Sequence, residues 1–281
     1  FFKKQSQNMT TQLFSDVDKT FQEFPTLIYD GPFSDHMTSL KPKGITGKEV
    51  SVEEAAEKLK KFFGEDKVAS VEHTGDINAD TLPAYNFKIT FKDRPEGEFA
   101  TADVTKKGGH VIWMLYNRDV GQPTLDVDKV KQIGKEFLES RGYKNMKDTY
   151  YIKEDNTATV NFAYEQDGVV VYPDLIKVKI ALDNGDIVGF ESKGYLMNHT
   201  ERDIPEPKIS EEEVKANFMA RKELKSVGLA IIPTNFGTEI FCYELKGNMN
   251  GKDFLVYVNA ETGKEEKVLI IINTEEGILT L

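Results

Sequence analysis

The chain has 281 residues, 39% of them hydrophobic and 11% aromatic, which is enough for packed cores and too much for a disordered chain. Its formal net charge of −11 argues against nucleic acid as a partner and against electrostatic docking on anionic lipid, because both need a basic face. A single cysteine, Cys242, excludes an intrachain disulfide and a cysteine metal site, and no apolar run approaches the roughly 18 residues of a spanning helix.

The chain opens Phe1-Phe2-Lys3-Lys4, without an initiator Met or a signal-peptide pattern. It therefore reads as a piece of a longer protein whose targeting or anchoring segment would lie in the missing part. Residues 1–45 form a linker or clasp. The aromatic-rich stretch from Phe24 to Phe33 sits outside any predicted module core, and Phe24, Tyr29, Asp30, Phe33 and His36 are the candidate partner-binding residues. The same stretch could instead pack across the first module as a structural clasp. Asp35 could orient His36 for acid–base work, but turn chemistry at Asp30-Gly31-Pro32 and local capping account for these residues more simply.

Next comes a unit that recurs three times. Ser51 with Glu54 makes a capping box, Val52, Ala55, Ala56, Leu59, Phe62 and Phe63 share a helical face, and Gly64 is a stop. An alternating strand follows with Tyr85, Phe87, Ile89 and Phe91, then a strand from Glu98 to Thr105, a Lys107-Gly108-Gly109 turn, and a strand from His110 to Tyr116. The second copy opens at Asp126, an N-cap without the reciprocal Glu, and its helix runs through Val127, Val130, Ile133, Phe137 and Leu138 to Gly142. Its strands are Val160 to Tyr164, Leu175 to Leu182 and Ile187 to Ser192, with Asp183-Asn184-Gly185 as the turn. The third copy opens at Ser210 with Glu213, and its helix is expected to pass Val214, Phe218, Leu224 and Val227 and stop at Gly228. In its first strand Ile240, Cys242 and Glu244 face one way and Phe241, Tyr243 and Leu245 the other; Phe254 to Asn259, a turn at Glu261-Thr262-Gly263, and Lys267 to Ile272 complete it.

The helix starts lie about 75 to 85 residues apart, a period suited to a chain of small domains. Proline-bearing linkers at Gly121-Gln122-Pro123 and Ile204-Pro205-Glu206-Pro207 separate the copies. The fold class expected is therefore α+β, with three tandem small modules at 46–121, 122–204 and 205–281, each one helix packed on an antiparallel sheet of three to four strands. The terminal stretch Val268 to Ile272 is apolar enough that, as a sheet edge, it would invite pairing with a second copy of the chain.

No cofactor or metal is expected. His36, His73, His110 and His199 are scattered, none at the i, i+4 spacing of a helical metal pair. His110 reads as an exposed turn residue and His199 as solvated. Cys242, in an alternating strand, reads as inert packing. Glu53, Glu54 and Glu211 to Glu213 are accounted for at helix N-termini, where they meet the dipole, so no enzyme signature survives.

The starts Ser51-Val52-Glu53-Glu54-Ala55-Ala56 and Ser210-Glu211-Glu212-Glu213-Val214, with the hairpins Asp183-Asn184-Gly185-Asp186-Ile187 and Asn259-Ala260-Glu261-Thr262-Gly263-Lys264, resemble the PepSY module. The stretch from Phe24 to His36, followed by three such units, resembles the C-terminal region of the spore germination protein YpeB family, over essentially the whole chain. That resemblance implies a non-catalytic protein at the outer side of the spore inner membrane, membrane-anchored by a segment absent here. It also implies a role in germination through binding and stabilising the cortex-lytic enzyme SleB. Open alternatives are an inhibitor that restrains the lytic enzyme, as PepSY-like modules do in some protease propeptides, a peptidoglycan-binding module, and an enzyme acting on peptidoglycan with two facing carboxylates.

Overall fold

The structure, a computed structural model, describes residues 41–95, 97–219, 223–234, 237–249, 252–274 and 277–280. Helix α1 (Val52–Phe63) begins where expected: the Ser51 amide donates to Glu54 Oε2 at 2.9 Å and the Glu54 amide donates to Ser51 Oγ at 3.2 Å. Replacing Ser51 with alanine removes an acceptor from an otherwise orphaned amide and is expected to cost about 1 kcal/mol, read as a lower urea midpoint at unchanged slope. The helix stops at Gly64, whose φ of 101° is left-handed territory closed to most side chains.

Four strands follow: β1 (Val68–Ile77), β2 (Ala84–Phe91), β3 (Phe99–Thr105) and β4 (Val111–Asn117), paired antiparallel in sequence order. The second unit repeats the plan with α2 (Val127–Ser140), β5 (Met146–Glu154), β6 (Thr157–Gln166), β7 (Val169–Ala181) and β8 (Ile187–Glu191). Asp126 caps α2 by accepting from the Lys129 amide at 2.8 Å. Gly134 lets this helix lie close to the sheet, since a Cβ there would stand 2.7 Å from the buried Phe162 ring. A short helix α3 (Lys193–Asn198) leads to the third unit: α4 (Glu211–Met219), β9 (Glu223–Pro233), β10 (Glu239–Met249), β11 (Lys252–Asn259), β12 (Glu265–Thr274) and β13 (Gly277–Thr280).

The architecture is mixed α+β and largely antiparallel, as the periodicity implied. The units do not keep separate sheets, however. All strands among the described residues join one 13-stranded sheet in the order β1-β2-β3-β4-β8-β7-β6-β5-β13-β12-β11-β10-β9, and β9 returns to pair with β7. That contact is parallel, Val169 to Val171 against Leu229 to Ile231, while the far half of β7 pairs with β8. Strands β5 to β7 and β9 to β13 therefore close into a ring, through short seams at Val169–Val171 on Leu229–Ile231 and at Gly277 on Ile152. Its interior holds Tyr150, Tyr172, Cys242, Leu255 and Tyr257, and the Tyr172 and Tyr257 hydroxyls both donate to Glu244 Oε2.

Three expectations change. The third helix ends at Met219, and Leu224, Val227 and Gly228 belong to β9, paired with β10. Their i, i+3 spacing mimicked a helix, but the ladder opposite Glu239 to Asn248 overrides so weak a signal. Strand β7 starts six residues earlier than Leu175; Pro173 sits in an irregularity where β7 shifts register on β6, so the strand runs through it. Strand β12 is no edge, since it lies between β11 and β13. Helices α1 and α2 share one core with β1 to β8, built on Leu59, Phe62, Phe87, Val130, Leu138, Phe162 and Phe190.

Candidate functional site

The residues chosen from the sequence, Phe24, Tyr29, Asp30, Phe33 and His36, lie outside the described residues. His110 sits in the β3–β4 turn with Nε2 3.0 Å from the Thr46 carbonyl oxygen. His199, expected to be solvated, is instead half-buried. It stacks on Tyr195 at 4.0 Å between ring centroids, and its Nδ1 lies 2.7 Å from Asp174, a carboxylate with no exposed side-chain surface. A residue beyond the last strand folds back here because α3 returns the chain onto β7. Cys242 is fully buried, and burial pushes its thiol up to about 12. The native chain should leave a disulfide reagent such as dithiobis(nitrobenzoate) unreacted, with one thiol released on denaturation.

The described surface has a cleft of about 400 Å³ where the first two units meet. Its floor is a run of rings in contact. Phe137 meets Phe62 at 5.4 Å, Phe62 meets Phe63 at 5.4 Å, Phe63 meets Phe91 at 5.4 Å, and Phe91 meets Tyr116 at 4.7 Å. The first three contacts are edge-to-face, the arrangement ring quadrupoles favour. Phe190 lies behind the floor, fully buried, 5.1 Å from Phe62. The cleft is also lined by Asp66, Lys67, Lys92, Asp93, Arg94, Arg141 and Asp186. Tyr116 donates to Glu98 at 2.8 Å, and burial together with that bond pushes its hydroxyl up to about 12, so it stays a neutral donor.

Arg141 follows α2 and reaches α1: Nε donates to the Phe62 carbonyl at 2.6 Å, and the guanidinium stands 4.9 Å from the Phe137 ring centroid and 5.8 Å from that of Phe62. Burial lowers its pKa from the usual value. The signal that could have revealed this site was the Phe62-Phe63 pair. Adjacent helical residues point about 100° apart, so while Phe62 is buried in the core, Phe63 stands at the margin of the same apolar face, packed against that core and lining the cleft.

Two ionic joints hold the units in place. Arg118 donates to both oxygens of Asp183, at 2.6 and 3.1 Å, and Arg94 donates to Asp186 at 3.0 Å, so the β7–β8 turn is gripped from the first unit. Arg202, two residues before the second linker, donates to both oxygens of Asp174 at 3.0 and 2.7 Å and to both of Glu239 at 2.8 and 2.7 Å. Among the described residues, no group of three or more His, Cys, Asp or Glu could hold a metal ion, and no helix is long and apolar enough to cross a membrane.

A helix-plus-antiparallel-strand unit repeated along one sheet defines a tandem-module α+β protein. The family described as "YpeB sporulation, PepSY1 and PepSY2 domains" matches residues 10–205, and that described as "Peptidase propeptide and YPEB domain" matches residues 208–269. The sporulation protein YpeB of Halalkalibacterium halodurans is 34% identical over 84% of the chain and 52% of its own length. That of Bacillus subtilis is 31% identical over 97% of the chain and 61% of its own length. The solved Bacillus megaterium YpeB C-terminal domain aligns with a TM-score of 0.70 and 30% identity, over 81% of this chain and 100% of that one. The chain belongs to the YpeB family of sporulation proteins, and it spans between 52% and 61% of the length of these two curated relatives.

Proposed function

We propose that the chain is the non-catalytic holding part of a germination protein. In this reading it binds and stabilises the cortex-lytic enzyme SleB at the outer side of the spore inner membrane, where a segment beyond this chain anchors it. The observation that carries the reading is the cleft: a floor of five aromatic rings, preformed and framed by charged side chains, suits the capture of a protein surface. Modules at 46–121, 122–204 and 205–281 would act as one platform, because the joints at Arg118 and Arg202 leave little freedom between them. Phe24, Tyr29, Asp30, Phe33 and His36 would supply a second contact.

Calorimetric titration of the chain with purified SleB tests this. Saturable binding at micromolar concentrations is expected, and no heat at several hundred micromolar would overturn the reading. A second reading, restraint of the lytic enzyme until germination, is favoured by the propeptide description matched at residues 208–269. Lytic activity on cortex peptidoglycan, measured with and without saturating chain, separates the two: unchanged turnover with longer enzyme half-life means holding, and suppressed turnover means restraint.

A further inference from the structure

We propose that the cleft between the first two units receives a segment of the protein partner that carries a large apolar side chain next to a carboxylate, with Arg141 as the group that takes the carboxylate. The inference rests on the holding-protein reading for the nature of the partner and adds the chemistry by which it is recognised.

Charge complementarity identifies the occupant. Arg94, Arg118 and Arg202 each have a carboxylate partner. Arg141 has none among the described residues: Nε is used on the Phe62 carbonyl and Nη1 on Ser140 Oγ at 2.8 Å, which leaves the Nη2 side of the fork available. A half-buried guanidinium lying against aromatic rings is weakly hydrated, and a carboxylate is the group that best matches its planar donors. Lys67 and Lys92 add two more cations to the rim without ion pairs among the described residues, facing Asp66 and Asp93, whereas Asp186 is engaged by Arg94 and Arg118; the lining thus holds four cations and three carboxylates, an excess of one positive charge. On a chain of net charge −11 this is a local cationic spot, and the rings beside it supply the apolar surface. A ligand with only one of the two features would leave either the rings or the guanidinium without a partner.

The test uses the full chain and two small probes, N-acetyl-L-phenylalanine and its amide, titrated with NMR detection. The acid should bind about tenfold more tightly than the amide, with shifts at Phe63, Phe137 and Arg141, and should weaken with salt. Arg141→Gln should abolish the preference. Because that change also removes the bond to Phe62, Lys92→Glu is the second variant: it should weaken the acid about threefold, leave the amide unchanged and keep the wild-type melting temperature. Equal binding of acid and amide, or acid shifts mapping elsewhere, overturns the inference. SleB binding that is unchanged in both variants overturns it too, while leaving the holding reading intact. Acid binding in the cleft with no SleB binding overturns the holding reading and keeps the cleft as a carboxylate site.

Discussion

Arg202→Met should destabilise the chain by about 3–5 kcal/mol, seen as a lower denaturation midpoint. The side chain is 8% exposed and its partner Asp174 is 0% exposed, so removing the guanidinium strands a carboxylate where water cannot reach it. His199 at 2.7 Å offers one compensating contact, while the two bonds from Arg202 are lost. Replacing both partners together, Arg202→Met with Asp174→Leu, should recover most of the loss, because the cost lies in the unpaired charge rather than in the missing contact. If the double variant is as unstable as the single one, the joint acts by packing and not by charge. Asp174 lies on β7, Arg202 just before the linker and Glu239 at the start of β10, so the single variant should also loosen the third unit relative to the second.

Phe190→Ala is expected to cost a similar 3–5 kcal/mol, since it empties a fully buried aromatic position. This change reaches the cleft as well. Phe190 touches Phe62 at 5.1 Å, Phe137 at 6.0 Å and Tyr143 at 5.9 Å, so it supports both helices from the sheet side. With it gone, Phe62 and Phe137 can sink toward the cavity and take Arg141 with them. Binding of N-acetyl-L-phenylalanine should fall at least tenfold at a temperature where the variant is still folded. A destabilised variant with an unaltered cleft would show that the floor is held by the helices alone.

Cap and turn chemistry is written in short stretches, and those features were readable: Ser51 with Glu54, Asp126 before Lys129, and Gly185 and Gly263 at φ of 84° and 72°. The facing of β10, with Cys242 and Tyr243 in different cores, followed from period-2 alternation alone. The end of the third helix was not readable, because Leu224 and Val227 satisfy a helical spacing and a strand equally well over so few residues. Nor was His199, whose partner Asp174 lies 25 residues away.

Periodicity, caps and glycine turns were enough to define the repeated helix-plus-strands unit and its three copies, because each depends on neighbours a few residues apart. The closure of β9 on β7, the grip of Arg202 on Asp174 and the meeting of Phe62, Phe137 and Arg141 bring together residues 28 to 79 apart in sequence, so packing between units decided them. The cleft belongs to that second group. Phe62 and Phe63 have the composition of core residues, and they line a site only because α2 and Arg141 stand against the end of α1.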